Sequence, residues 1–425
     1  MKPEEKDHRQ GEIFERELSS LVREEHRLVR LSRRINWSRF ESEFGALYES
    51  DQGRPGISTR FLSGITILKF LYNASDETIC AQWLENPYWQ YFCGERYFQH
   101  ELPCDRSTLS RWRKRIGERG GDLMLQESLA VALGSGALKM MDLNELYADT
   151  TVQEKNVAYP SEANLLDTAR KSLVREAREL GIRLCQTYRR RGKLARIMAH
   201  RYASAQQWRR ARRMTKKLST QLGRVMRDVV RKASESQRLL LEPILGLCAK
   251  LRLQQQDKAA IPPKERVYSL HEPQTEAIAK GKIHKRFEFG VKASFVTTRR
   301  TGIVLSALAI PGAPYDGHTL EAALAKVVQH LGAPLKSGTR VGVDLGYRGH
   351  GIVERYRVVH PKLKKLSDDT RKFIRARSKI EATISFMKRC CRLGRNYLRG
   401  VLGDKMNPLF AAMANNFAVV LRHAG

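Results

Sequence analysis

The sequence predicts a mixed α/β fold: a core whose first strand is followed by a helical insertion, plus an all-α N-terminal domain. Three observations carry this. Short apolar runs, alternating or continuous, read as strands in the segments ELYADTTVQ, RFEFGVKASFVTT, TGIVLSALAI and TRVGVDLGY. Apolar residues at helical spacing fill residues 31–135 and about 161–257. The order is then strand, helical block, strands, helix, strand, strand, helix, which describes a mixed core interrupted once.

The 425 residues, 42% of them hydrophobic, suffice for two or three domains. Lys and Arg number 77 against 45 Asp and Glu, a net charge of +32. Such an imbalance speaks to partners, because a polyanion releases counterions on meeting this surface. Nucleic acid leads; a membrane surface is the rival, but no basic run adjoins an apolar helix end. LFAAMANNFAVVL, near the end, is interrupted by Asn415 and Asn416 and is too short to span a bilayer. The opening residues carry no secretory pattern. Seven cysteines without a C-x-x-C pair argue against a disulfide framework or structural zinc, and Cys93, His100 and Cys104 make a poor ligand set.

Residues 1–30 are highly charged with Leu and Val at helical spacing, an N-terminal helical arm. Residues 31–135 form the helical DNA-binding or dimerisation domain. There Ser58 and Thr59 can cap one helix, and Ser75 before Asp76 and Glu77 can start the next. Trp83, Tyr88, Trp89, Tyr91 and Phe92 form an aromatic cluster suited to core packing. In DRSTLSRWRKRIG, Asp105 or Ser107 caps a helix whose exposed faces carry Arg111, Arg113, Lys114 and Arg115. It resembles the second helix of a helix-turn-helix reader; a basic helix that never enters a groove remains the alternative.

The core is expected over 140–160 and 262–400, the basic helical insertion over 161–261, and a C-terminal helix over 401–425. Residues 145–153 read as a short strand ending in acid. Residues 185–227 hold fourteen Lys or Arg and no Asp or Glu, among them Arg189, Arg190, Arg209, Arg210, Arg212 and Arg213. A solvated helical face normally mixes both signs, so a DNA-backbone contact is expected. Trp208 and Tyr188 could stack on bases or pack in a core. After Pro262-Pro263 come the candidate strands RVYSL, RFEFGVKASFVTT and TGIVLSALAI, the last two joined as a hairpin through Arg299-Arg300. HTLEAALAKVVQHLG reads as a helix ending at Gly332, TRVGVDLGY and RVVH as strands, and 369–393 as a helix.

Three acids stand out. Asp149 closes Leu146-Tyr147-Ala148, and Asp344 closes Val341-Gly342-Val343. A buried strand ending in Asp needs a partner for that charge or a role at the surface. Glu381 is the only acid between 371 and 400, against ten Lys or Arg. Arg377, Glu381 and Lys388 share one helical face. An Arg377–Glu381 surface pair alone is worth roughly a few tenths of a kcal/mol and does not explain a solitary acid in a phosphate-attracting surface. Carboxylates converging at a sheet edge are the usual protein ligands for Mg²⁺ or Mn²⁺ in phosphoryl transfer.

The chain resembles the bacterial insertion-sequence DDE transposases of insertion-sequence family five. The likeness rests on NPYWQYFCGERYFQHELPCDRSTLSRWRKRIG, DTTVQEKNVAYPSEANLLD, SLHEPQTEAIAKGKIHKRFEFGVK, PYDGHTL, VDLGYRGHG and IEATISFMKRCCRLGRNYLRG, spread over roughly residues 30–423. The resemblance implies a ribonuclease H-like catalytic core and Mg²⁺, with Mn²⁺ able to substitute. It implies a homodimer on double-stranded DNA, acting on terminal inverted repeats and target DNA, and a bacterial cytoplasmic, nucleoid-associated location. It places the three metal-binding, catalytic acids at Asp149, Asp344 and Glu381, expected to meet within bonding range of shared ions. Arg377 and Lys388 match the family signature around the third acid; its tyrosine position is Ile374, and the arginine that often follows the second acid is Leu345. Arg377 and Lys388 would hold phosphates, Tyr347 and Arg348 would support the second acid or touch the strand, and Asp316 and His318 would stand behind the ligands. A non-catalytic DNA-binding regulator and a stand-alone metal-dependent nuclease are the alternatives.

Overall fold

The computed structural model describes residues 16–48, 56–279, 286–352, 355–362 and 367–423. The first half of the expected N-terminal arm lies outside the described residues. The chain divides into two compact units, one of residues 1–154 with 291–425, the other of 155–290.

The first unit begins with seven helices: α1 (Leu18–Leu21), α2 (Arg27–Arg34), α3 (Trp37–Gly45), α4 (Thr59–Leu71), α5 (Asp76–Glu85), α6 (Pro87–Phe92) and α7 (Arg106–Gly134). Ser58, Ser75 and Asp105 cap α4, α5 and α7, as the sequence predicts. Trp83, Trp89 and Phe92 are buried. The basic helix does not stop at a short hairpin. It runs 29 residues with one break at Gly117 (φ 60°), and its second half is buried. The C-terminal helix α15 (Gly400–His423) packs against α7 and α4. On it, buried Asn416 both accepts from Val304 N (2.8 Å) and donates to Val304 O (2.9 Å). The two polar residues that interrupt the apolar run therefore serve the core, and among the described residues no helix is long and apolar enough to cross a membrane.

The sheet runs β2 (Glu276–Ala279), β3 (Phe287–Thr298), β1 (Glu145–Lys155), β5 (Arg340–Gly342), β6 (Arg357–Val359). β4 (Val304–Ile310) pairs antiparallel with β3, and β7 (Arg395–Asn396) pairs with β1. The expected hairpin through Arg299-Arg300 is present. The helix α12 (Leu320–Leu331) ends at Gly332, whose left-handed φ of 66° suits glycine.

Three expectations are corrected. RVYSL is not a strand: the Val267 backbone is satisfied on both sides by the Gln254 side chain (3.0 and 3.3 Å), which replaces a neighbouring strand. TRVGVDLGY is strand only at Arg340–Gly342, because Asp344 accepts from Gly346 N and turns the chain into a 3-10 turn. The helix expected over 369–393 is two, α13 (Asp368–Arg375) and α14 (Ser378–Cys390), broken at Ala376-Arg377.

The second unit holds α8 (Glu162–Glu179), α9 (Arg189–Ser204), α10 (Trp208–Lys232) and α11 (Glu235–Gln256), packed on a core that includes Leu166, Leu173, Leu222, Val225 and Leu251. Its buried Asp167 is answered by Arg170, Lys171 and Arg196.

Candidate active site and nucleic-acid surfaces

β1 and β5 are parallel, with Tyr147 paired to Gly342. Asp149, within β1, and Asp344, just past the end of β5, each lie two residues beyond that pair. Asp149 does not close its strand; β1 continues to Lys155. Close approach at this point requires Gly342, since a Cβ there would lie 2.7 Å from the Tyr147 ring and 3.0 Å from Phe373. The Tyr147 hydroxyl donates to Phe373 O (2.7 Å), tying α13 to the strand.

That anchor leads to Arg377, at the start of α14. Its guanidinium donates to Asp149 Oδ2 (3.3 Å) and to Glu381 Oε1 (2.7 Å), joining first and third acids. Asp149 is held near the surface but mostly buried, its side chain 17% exposed. Burial pushes its carboxyl up to about 6; Arg377 and the Thr150 N–H act against this, and the negative charges of Asp344 and Glu381 add to it. Asp344 accepts from Gly346 N at 2.8 Å. Among the described residues no three His, Cys, Asp or Glu lie close enough to hold one ion. The expected convergence within bonding range is thus not reached: the Arg377 guanidinium bridges Asp149 and Glu381.

Asp316 joins the same edge. Its Oδ1 accepts from Thr150 Oγ1 (2.8 Å) and from Lys292 Nζ (3.0 Å). A Cβ at Gly346 would lie 3.0 Å from Asp344 Oδ1 and 3.1 Å from Asp316 Oδ2, so the two carboxylates flank a gap that glycine leaves open. Thr150 and Lys292 were missed in the sequence. A signal existed: Lys292 is a lone cation inside the apolar strand β3, the same kind of exception as Glu381. His318 is exposed and packs edge-on to Tyr315 (5.6 Å).

Tyr347 is fully buried, so its side chain is not an exposed DNA contact. Burial, then the charges of Asp149, Asp316 and Asp344, raise its hydroxyl well above its ordinary value. Arg348 is exposed and Lys388 half-buried. Arg113 is corrected: it is buried and donates twice to Asp76 (2.9 and 2.7 Å), which also receives Lys69. An arginine that is itself buried and spent on a carboxylate is not a DNA contact. Arg111 and Lys114 remain exposed. In the second unit Arg189, Arg190, Arg209, Arg210, Arg212 and Arg213 are all exposed. Trp208 is 58% exposed, which rules out its packing in the core.

Carboxylates drawn to one edge of a mixed sheet in the first unit, and exposed arginine-rich helices in the second, suit a polyanionic, phosphate-linked substrate. Residues 16–115 match the family described as "Transposase domain (DUF772)", and residues 267–417 match the family described as "Transposase DDE domain". The chain is 41% identical over 208 residues to "Uncharacterized protein ORF8 in nfe locus" of Rhizobium meliloti, covering 49% of this chain and 100% of that protein. No solved structure matches. The chain belongs to the insertion-sequence transposases with a DDE domain.

Proposed function

We propose that this transposase hydrolyses phosphodiester bonds at transposon ends and joins the freed 3′-hydroxyl to target DNA, using divalent ions held by Asp149, Asp344 and Glu381. The observation that carries this is that Asp149 on β1 and Asp344 just past the end of the parallel strand β5 each follow the Tyr147–Gly342 pair by two residues, with Arg377 linking Asp149 to Glu381. The strand order β4-β3-β1-β5-β6 supports a ribonuclease H-like core into which the helices α8–α11 are inserted. The assignment to insertion-sequence family five rests on the six stretches between about residues 30 and 423, with Arg377, Glu381 and Lys388 matching the signature around the third acid.

The residues fit the ions. The donors are hard carboxylate oxygens, as Mg²⁺ or Mn²⁺ requires, and the gap at Gly346 lies between one of them, Asp344, and Asp316. Asp149, Asp344 and Glu381 would be the ligands, and Asp316, with Lys292 and Thr150, would hold β1 and the Asp344 turn at fixed spacing. When bound, the ions would activate the attacking oxygen and stabilise the departing one. The chain's own part is to bind and orient the strand. Arg377, Lys388 and Arg348 would grip phosphates around the scissile bond. Exposed cations of α9 and α10, with Arg111 and Lys114, would hold the flanking duplex of the terminal repeats in a homodimeric complex.

Asp149→Asn, Asp344→Asn and Glu381→Gln should each remove Mg²⁺-dependent cleavage of a transposon-end substrate while DNA binding persists. Full cleavage in any one variant rejects that residue as a ligand.

A further inference from the structure

The second unit contains a cavity of about 780 Å³ between α10, α11 and the α8–α9 connection. Arg224, Arg227, Arg238 and Arg252 line it, with Tyr188 and Cys185. Among the described residues none of these four arginines has a carboxylate partner. The cavity's acid, Asp228, is already spent: it accepts from Arg231 (2.6 Å) and from Cys185 N (2.7 Å), and it pairs with Lys232 (3.3 Å).

Like charges gathered around one cavity repel each other, and a fold retains them at a cost in stability. The arrangement is also built. Gly223 faces Arg252, and a Cβ there would lie 2.6 Å from Arg252 Cζ. Glycine therefore lets this guanidinium lie against the α10 backbone. Its Nε is buried without a hydrogen-bond partner, a costly state unless something else supplies an acceptor. Arginine planes and an aromatic ring around one recess are the components that bind phosphate and stack a base. A recess of this volume encloses a ligand of nucleotide size, whereas a stacked duplex can only lie across its mouth.

We propose that this cavity receives an unpaired nucleotide of a single-stranded DNA segment, its phosphate held by Arg224, Arg227, Arg238 and Arg252 and its base against Tyr188. The site is separate from the basic face of α9 and the first half of α10, which meets duplex backbone. It depends on the chain handling DNA and not on the carboxylate assignment, so the test reads binding and not cleavage.

The full chain is titrated with a fluorescein-labelled oligothymidylate and, in parallel, with a blunt duplex, by fluorescence anisotropy across a salt series. Arg252→Gln and Arg224→Gln should each weaken the single strand on the order of tenfold, as loss of a charge-assisted contact does, and lower its salt slope by about 0.7. Duplex binding should change less than about twofold, a difference too small to mark a lost phosphate contact. Arg209→Gln with Arg213→Gln, at the start of α10 and not in the cavity lining, should show the opposite pattern. Equal losses on both probes, or no loss on the single strand, would overturn the proposal. Occupancy is read without mutation as well: oligothymidylate should slow alkylation of the exposed Cys185 thiol, followed at that residue by mass spectrometry, and unprotected Cys185 at saturating oligonucleotide would also overturn it.

Discussion

Asp149→Asn should make the metal-free protein more stable above neutral pH while it abolishes cleavage. Burial and the charges of Asp344 and Glu381 hold the Asp149 carboxyl at about 6, against an ordinary value of about 3.9 for aspartate. That displacement disfavours the ionised form by about 3 kcal/mol. Because folding raises the value, the native chain keeps its proton to higher pH than the unfolded chain. The stability is fully present below about pH 4, falls as pH rises towards about 6, and the whole penalty is in force above that. Asparagine resembles the protonated acid and carries no such penalty. Allowing for residual contact with water and for the lost donor from Arg377 (3.3 Å), a gain of about 2 kcal/mol should remain near pH 8. Urea denaturation in EDTA measures it, and the gap between variant and parent should close near pH 4. Mg²⁺ should then stabilise the parent and not the variant, since a ligand stabilises only the state that binds it. A variant no more stable than the parent near pH 8, or a gap indifferent to pH, would refute the reasoning.

Two further outcomes follow from contacts at other points. Gly346→Ala places a methyl 3.0 Å from Asp344 and 3.1 Å from Asp316, so cleavage should drop by about tenfold or more through displacement of the second acid. DNA affinity should hold, and unchanged cleavage would show that the spacing is irrelevant. Arg113→Met removes both guanidinium bonds to Asp76 and should cost about 3 kcal/mol in urea denaturation, whereas the exposed Arg111→Met should cost almost nothing. Lost DNA affinity at unchanged stability would return Arg113 to the DNA surface.

What was legible in the sequence was local. Caps at Ser58, Ser75 and Asp105, the hairpin at Arg299-Arg300 and the stop at Gly332 follow from side chains that act within a few residues. The three acids were legible because each breaks a pattern, either an apolar run or a field of cations. Tertiary decisions were not. Nothing near Arg113 in sequence shows that Asp76, from another helix, will claim it. Nothing in RVYSL shows that Gln254 will satisfy Val267. Nothing near Arg377 in sequence shows that its guanidinium, at the break between α13 and α14, will reach Asp149 on β1. The Asp316–Lys292–Thr150 contacts join three segments that are far apart in the chain, so spacing alone carries no trace of them.

Charge balance separates the carboxylate edge from an ordinary salt-bridge network. Asp76, answered by Lys69 and Arg113, is lowered to about 2 although burial opposes this. Asp122, with Lys326 and His330, and Asp167, with Arg170 and Lys171, are lowered as well. These three networks thus more than offset the effect of burial on their acids. Among the described acids with a displaced value, Asp149 alone is raised, although it too has an arginine. Arg377 divides its charge between Asp149 and Glu381, and Lys292 is turned to Asp316. Asp149 and Glu381 therefore share the one guanidinium of Arg377. A fold that answers Asp76, Asp122 and Asp167 and leaves Asp149 short points to a function for the shortage, and positive charge brought by the proposed divalent ions is what would remove it.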